Sequence, residues 1–266
     1  MNLTFYKYQG TGNDFILIDN RSLFLDKNNI TDLVAKLCHR RFGIGADGLM
    51  LLENHDHFPF EMIYYNSDGS TSTMCGNGGR CIVAFAAFLN IVNKGEKFTF
   101  LAVDGPHDAI IKTDTVALAM QDLDINTIQK FNNAFILNTG SPHYVHFVEN
   151  IATCNIMEEG KAIRYSAPFA AKGINVNFVQ QPTQNKAQLL NIATYERGVE
   201  APTYSCGTGA TAVALIQNFH NNALSPIQLQ TQGGILTVSF EKQDHYYKNI
   251  WLEGPALFVY EGSMVI

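Results

Sequence analysis

The chain has 266 residues, is 46% hydrophobic and 16% charged, and carries 24 acidic against 18 basic side chains for a net charge of −6. That length and apolar share describe a globular protein of one large or two ordinary domains with a sizeable core. The acidic balance argues against a nucleic-acid or polybasic membrane-surface role, and the apolar run Cys81–Leu89 falls well short of the about 20 residues a bilayer span needs. The opening MNLTFYKYQG lacks the basic and apolar regions of a secretory signal, so a soluble, cytoplasmic protein is expected. Five scattered cysteines form no disulfide framework, and none shows zinc-ligand spacing, so no metal is expected.

Hydrophobic periodicity predicts strands at Leu3–Tyr8 and Phe15–Asp19 around a Gly10-Thr11-Gly12 turn. A short helix follows over Thr31–Leu37 with Thr31 as its cap, then strands over Leu49–Glu53, Met62–Tyr65, Lys97–Val103, Ala109–Lys112 and Val116–Met120. The second half reads alike: Ala134–Thr139, Tyr144–Val148, Asn175–Val179, Ile192–Glu196, Ile227–Gln230 and Ile235–Phe240. Two segments free of proline, Cys81–Leu89 and Ala210–Ile216, are apolar on every side and read as buried helices.

The chain repeats itself. Cys75-Gly76-Asn77-Gly78 is answered by Cys206-Gly207-Thr208-Gly209, Thr11-Gly12 by Thr139-Gly140, Gly43-Ile44-Gly45 by Gly173-Ile174-Asn175, and Gly105 by Gly233, all at offsets of 128 to 131 residues. An internal repeat decides architecture before any motif does. The expected fold is mixed α/β in two pseudo-symmetric domains, each a bent sheet wrapped around one central helix. Residues 1–121, with a C-terminal tail of about 255–266, form the half carrying Cys75, and 122–254 form the half carrying Cys206. Equivalent loops would then face one another across a cleft, a favoured place for a ligand.

If the central helices begin near Asn77 and Thr208, both cysteines lie at a helix start, where unpaired N–H groups hold a carboxylate and favour a thiolate. A helix end is worth about 0.3–2 kcal/mol. That brings a thiol of pKa about 8.5 down to between about 7 and 8.3, a usable base. One buried cysteine capping a helix is ordinary structure; two symmetric copies point to chemistry. The run Gly43-Ile44-Gly45-Ala46-Asp47-Gly48 fits a dinucleotide fingerprint, but a helix precedes it and a strand follows, the reverse of what that site needs. Counting back from each cysteine pairs Asn66 with Arg197. Asn13, Asn66, Asn175, Glu196 and Arg197 could together grip an amino acid, with Arg197 on a carboxylate and Glu196 on an ammonium group.

These motifs, together with Asn66-Ser67-Asp68-Gly69 and Tyr195-Glu196-Arg197-Gly198, resemble the diaminopimelate epimerase family in order over nearly the whole chain. The resemblance implies interconversion of LL- and meso-diaminopimelate without pyridoxal phosphate or metal, by two opposed cysteines, Cys75 and Cys206. It also implies substrate contacts from Asn13, Asn66, Asn175, Glu196 and Arg197, and a carboxylate held by the N–H groups of Gly76, Asn77, Gly207 and Thr208. His143 and Glu196 match positions that modulate the thiols, and Tyr260 matches a tyrosine at a homodimer contact. Two positions depart from part of the family: Ser141 stands where some members have asparagine, and Gly48 where some have glutamine. The alternatives are a related cofactor-independent racemase acting on proline or another amino acid, and a thiol-redox or amino-acid-binding protein.

Overall fold

The computed structural model describes residues 2–182 and 189–266. In chain order the elements are β1 Asn2–Gly10, β2 Asn13–Asp19, α1 Thr31–Cys38, β3 Gly48–Glu53, β4 Glu61–Asn66, α2 Gly76–Phe88, β5 Lys97–Ala102, β6 Gly105–Ile111 and β7 Val116–Ala119. They continue with β8 Leu123–Asp124, β9 Gln129–Phe131, β10 Ala134–Asn138, β11 Pro142–Val148, α3 Ile156–Arg164, β12 Asn175–Gln180, β13 Leu189–Glu196 and β14 Ala201–Thr203. The last are α4 Gly207–Asn221, β15 Ile227–Thr231, β16 Gly234–Gln243, β17 Tyr246–Gly254 and β18 Leu257–Val265. Two units emerge: Met1–Leu118 with Gly254–Ile266, and Ala119–Glu253.

The first unit is a mixed sheet in the order β18-β1-β2-β3-β4-β5-β6-β7, antiparallel except for the parallel pairs β2–β3 and β4–β5. The second unit runs β9-β10-β11-β12-β13-β15-β16-β17-β8, with parallel pairs β11–β12 and β13–β15 and the rest antiparallel. The two orders match strand for strand from β1 and β10 onward. Each unit places one helix, α1 or α3, in its first parallel crossover and a second, α2 or α4, in its second.

Strand alternation explains why both helices find a home. Side chains alternate faces along a strand, so Phe15 and Leu17 of β2 and Met50 and Leu52 of β3 pack around α2, with Ile82, Val83 and Phe85. Their neighbours Ile16, Ile18, Leu49 and Leu51 cover Val34 and Leu37 of α1 on the other face. Strand β3 is buried along its whole length, the continuous apolar pattern of a strand covered on both sides. In the second unit Val145, Val179, Leu229 and Leu236 surround Val213, Leu215 and Ile216 of α4, while Tyr144, Val176, Phe178 and Tyr195 turn to the α3 side, with Ile156 and Ile163. Helix α2 touches β1, β2, β3, β6 and β18, and α4 touches β10, β11, β12, β15 and β16. Each sheet therefore curls around one apolar helix.

Four expectations need correction. Asn175 opens β12 as Gly48 opens β3, so Gly173-Ile174-Asn175 does not match Gly43-Ile44-Gly45. Thr31 is the first residue of α1, not its cap; Ile30 holds that place and makes no side-chain cap bond. The glycine equivalent to Gly105 is Gly234, not Gly233: both open a strand with positive φ, +119° and +134°, in the region only glycine enters freely. Asn66 matches Glu196 rather than Arg197, since Asn66 ends β4 and Glu196 ends β13. The stretch from Glu196 to Cys206 is one residue longer than that from Asn66 to Cys75, and counting from the cysteines hides the slip.

Candidate active site

Cys75 is the N-cap of α2 and Cys206 the N-cap of α4, both in extended backbone conformation. Cys75 is half-buried and its Sγ accepts a hydrogen bond from the Gly78 N–H at 3.2 Å. Cys206 is buried, and its sulphur lies 3.5 Å from Thr208 Oγ1. None of the five cysteines forms a disulfide. In an α-helix the first-turn N–H groups have no carbonyl four residues back, so Gly76, Asn77, Gly207 and Thr208 open the two helices with N–H groups that have no partner inside the helix.

Beside Cys75 an amide ladder ties three elements together. Asn77 Nδ2 donates to Asn13 Oδ1 at 2.6 Å, and Asn13 Nδ2 donates to Asp47 Oδ2 at 2.9 Å. Asp47 and Asp14 share Arg40, each at 2.7 Å from its Nη2, and Asp14 also pairs with the buried Lys7 at 2.6 Å. Arg40 and Lys7 hold the Asp14 carboxyl below its ordinary range against the opposing effect of burial. Asn13 is thus fixed at both ends of its amide. Asn66 stands apart from this ladder, giving its Nδ2 to Ser70 Oγ at 3.1 Å. A side chain at Gly48 would not fit here: its Cβ would lie 2.5 Å from Tyr64 Cε2 and 2.7 Å from the Tyr65 carbonyl oxygen.

Beneath Cys206 lies a different arrangement. Thr194 Oγ1 donates to Asn177 Oδ1 at 2.9 Å, which turns Asn177 Nδ2 toward the Tyr144 carbonyl and His143 Nδ1, both at 3.1 Å. With Nδ1 accepting, the imidazole proton sits on Nε2, 2.9 Å from Thr208 Oγ1. The same threonine oxygen has a second lone pair, so it can also accept from the Cys206 S–H at 3.5 Å. Burial, aided by the Arg197 charge, pushes His143 down to about 3, so it works as a neutral donor. Gly209 is required beside this chain, because a Cβ there would sit 2.5 Å from Asn177 Oδ1.

The remaining polar residues gather around Ser141. Asn175 Nδ2 donates to Ser141 Oγ at 2.8 Å, its Oδ1 accepts from the Arg197 N–H at 2.9 Å, and Arg197 Nη2 reaches Ser141 Oγ at 3.3 Å. Arg197 meets only neutral oxygens, Ser141 Oγ and the Lys172 carbonyl, and makes no carboxylate pair among the described residues. Glu196 accepts from Thr203 Oγ1 at 2.9 Å, and burial raises its carboxyl. His143, Asn175, Glu196, Arg197, Cys206, Gly207 and Thr208 therefore belong to one unit, and Asn13, Asn66, Cys75, Gly76 and Asn77 to the other. Tyr260 lies on β18 opposite Lys7, edge-on to Phe5 at 6.0 Å. Asn177, Thr194, Thr203 and Arg80 escaped the reading of the sequence; Asn177 and Thr194 sit inside strand patterns that look purely structural.

A family model described as diaminopimelate epimerase matches residues 5–122 and 135–259. The chain belongs to the diaminopimelate epimerase family. The diaminopimelate epimerase of Flavobacterium psychrophilum is 51% identical over 262 residues, covering 97% of this chain and 99% of its own. That of Aquifex aeolicus is 35% identical, covering 98% of each. Among solved structures, a phenazine biosynthesis protein of the PhzF family from Bacillus anthracis matches with a TM-score of 0.75 at 13% identity over the whole of both chains. A probable proline racemase from Agrobacterium radiobacter matches with 0.67 at 13% identity, covering 99% of this chain and 93% of its own. The fold of these proteins, two curled α/β units, is the fold found here. Among the described residues no helix is long and apolar enough to cross a membrane.

Proposed function

We propose that this protein epimerises LL-diaminopimelate to meso-diaminopimelate, without cofactor or metal, in the cytoplasmic synthesis of lysine and cell-wall precursors. The observation that carries the reading is a pair of thiols, Cys75 and Cys206, each capping a buried helix of matching position in a duplicated fold. Inverting a Cα–H centre means removing a proton from one face and delivering one to the other. In this reading one cysteine acts as thiolate base and the other as thiol acid, and they exchange roles in the reverse direction. The first-turn N–H groups of Gly76, Asn77, Gly207 and Thr208 take the reacting carboxylate, where it can bear the charge that develops on the carbon.

The far end of the substrate carries a second amino-acid head. Arg197, with no carboxylate of its own, suits the distal carboxylate as a planar fork. Glu196 suits the distal ammonium, and Asn13, Asn66 and Asn175 complete the set of contacts. Ser141, already holding Asn175 and Arg197, supplies the hydroxyl that positions both. A racemase of proline would have no use for Arg197 and Glu196 as a pair. A homodimer is part of the same reading, supported by the exposed apolar run Leu257, Phe258, Val259 and Tyr260 on edge strand β18. Sedimentation of the purified chain as a monomer at micromolar concentration would remove it.

The test is a single turnover of reduced protein with LL-diaminopimelate in D2O. With two bases the product gains solvent deuterium while recovered substrate stays protonated, and Cys75→Ala or Cys206→Ala each abolishes conversion. Product that kept its original α-hydrogen would show that one base suffices. Equal activity on lysine or proline would overturn the substrate.

A further inference from the structure

Arg80 is the fifth residue of α2 and its side chain is fully buried. A guanidinium is almost never buried without an anion, because its desolvation is costly. Yet every acceptor it touches is neutral: the Gly76 carbonyl at 3.1 Å, Thr11 Oγ1 at 2.9 Å, Asn77 Oδ1 at 2.8 Å and the Pro255 carbonyl at 3.3 Å. These bonds take four of its five N–H groups and leave its charge unbalanced.

The charged groups on the elements around α2 are engaged elsewhere. Lys7 on β1 and Asp14 on β2 balance each other with Arg40 and Asp47. Glu53 on β3 pairs with Lys27, Asp108 on β6 with Lys97, and His107 on β6 lies against Asp104. Glu261 on β18 is exposed. Tyr8 on β1 stays protonated, its hydroxyl raised mainly by burial. Two thiols share the start of α2 with Arg80: Cys81, next to it in the chain, and Cys75 at the N-cap, whose helix turn Arg80 closes by its bond to the Gly76 carbonyl. Cys81 is wholly buried, and burial pushes its thiol far above the ordinary range, so it cannot supply the anion. Cys75, half-buried at the N-cap with the Gly78 N–H on its sulphur, can.

The matching place in the other unit sharpens the point. Five residues after each cysteine stand Arg80 and Thr211, and each bonds back to the carbonyl of the first helical residue: Arg80 Nη1 to Gly76 at 3.1 Å, Thr211 Oγ1 to Gly207 at 3.0 Å. Both satisfy the same backbone acceptor; one also brings a permanent positive charge. Were the carbonyl the whole purpose, a threonine would serve in both.

We propose that Arg80 is a positioning residue that sets the resting charge of Cys75: its buried cation holds that sulphur as the thiolate, making Cys75 the resting base, while Cys206 rests as the thiol. The role rests on the reading of both cysteines as acid and base, but it is measured without substrate, so the identity of the substrate does not enter the outcome.

The experiment labels cysteine with 13C at Cβ and follows its chemical shift with pH in the reduced protein. Cys75 is titrated in a Cys206→Ser background and Cys206 in a Cys75→Ser background, so that each midpoint belongs to one thiol. Cys75 should ionise at lower pH than Cys206. Adding Arg80→Gln should raise the Cys75 midpoint by at least about half a pH unit, less than a charge in direct contact would give, and leave Cys206 in place. Arg80→Lys, which keeps the charge, should restore most of the shift. A Cys75 midpoint at or above that of Cys206 overturns the proposal even if Arg80→Gln does not fold. A Cys75 midpoint unmoved in folded Arg80→Gln protein does the same, since a purely structural arginine would leave it there.

Discussion

The two helix starts that carry Cys75 and Cys206 share a backbone and differ in nearly everything beneath it. Each follows a strand, caps an apolar helix and is crossed by a threonine from the neighbouring turn: Thr11 Oγ1 reaches Asn77 Oδ1 at 3.2 Å, and Thr139 Oγ1 reaches the Thr208 carbonyl at 2.8 Å. Gly12 and Gly140 turn those loops with φ of +97° and +100°. Under Cys75, however, the polar groups are an amide ladder and a buried cation. Under Cys206 they are a hydroxyl, a neutral imidazole and an amide in series. Duplication therefore preserved the part that places a sulphur at a helix N-terminus and let the part that sets its protonation diverge. That division suits a reaction needing two thiols in one geometry but in opposite charge states.

The shared part was legible in the sequence and the divergent part largely was not. Apolar alternation in β4 and β13, the unbroken apolar run of β2 and the all-round apolar helices α2 and α4 follow from which faces are buried, so periodicity finds them. Elements outside that pattern were missed. Strand β18 is exposed along most of its length and shows no alternation, and β17 is interrupted by Asn249 at φ +50°. Helix α3 has only nine residues and contains Gly160, where a Cβ would come within 2.5 Å of Tyr195 Cβ, so its sequence looks like a loop although its packing is tight. Arg80 follows a glycine-rich turn and looks like a surface charge; its burial depends on Thr11, sixty-nine residues away. Side-chain relays such as Thr194–Asn177–His143 depend on strand register, which a single sequence does not reveal.

If the two units differ in this way, acid should separate them. His143 is folded as a neutral imidazole at about 3 against an ordinary 6.5. A lowered folded value means the unfolded chain binds the proton first, so stability is present above 6.5 and falls as pH drops toward 3. One proton corresponds to a slope of about 1.4 kcal/mol per pH unit. In the other unit Asp14 is lowered from 3.8 by its lysine and arginine, and its contribution is lost only as pH falls below that value. Between pH 6.5 and 4.5 the two effects are distinct. Urea unfolding of wild type and His143→Gln across that window should show a slope in the first that is shallower in the second, whatever their absolute stabilities. Equal slopes would mean that His143 titrates normally and that the imidazole relay does not exist.

On the proposed reading, the charged grip on the far end of the substrate belongs to one unit. Arg197, Glu196 and Asn175 cluster around Ser141 on the Cys206 side, and the equivalent of Glu196 on the other side is Asn66, an uncharged group bonded to Ser70. On that reading the charged groups for a second amino-acid head all lie on one unit. Arg197→Lys keeps the positive charge but loses the planar pair of donors that meets a carboxylate with two bonds, and a lysine ammonium would hold Ser141 and the Lys172 carbonyl less well. We expect kcat/KM for LL-diaminopimelate to fall at least about tenfold, near 1.4 kcal/mol. Exchange of the α-proton of lysine, which lacks the distal carboxylate, should be slow in the wild type and change little in the variant. That pairing of results is what separates a distal grip from general damage to the site. A variant that slowed both reactions equally would place Arg197 in support of the Cys206 helix start. One that slowed neither would remove it from the substrate site.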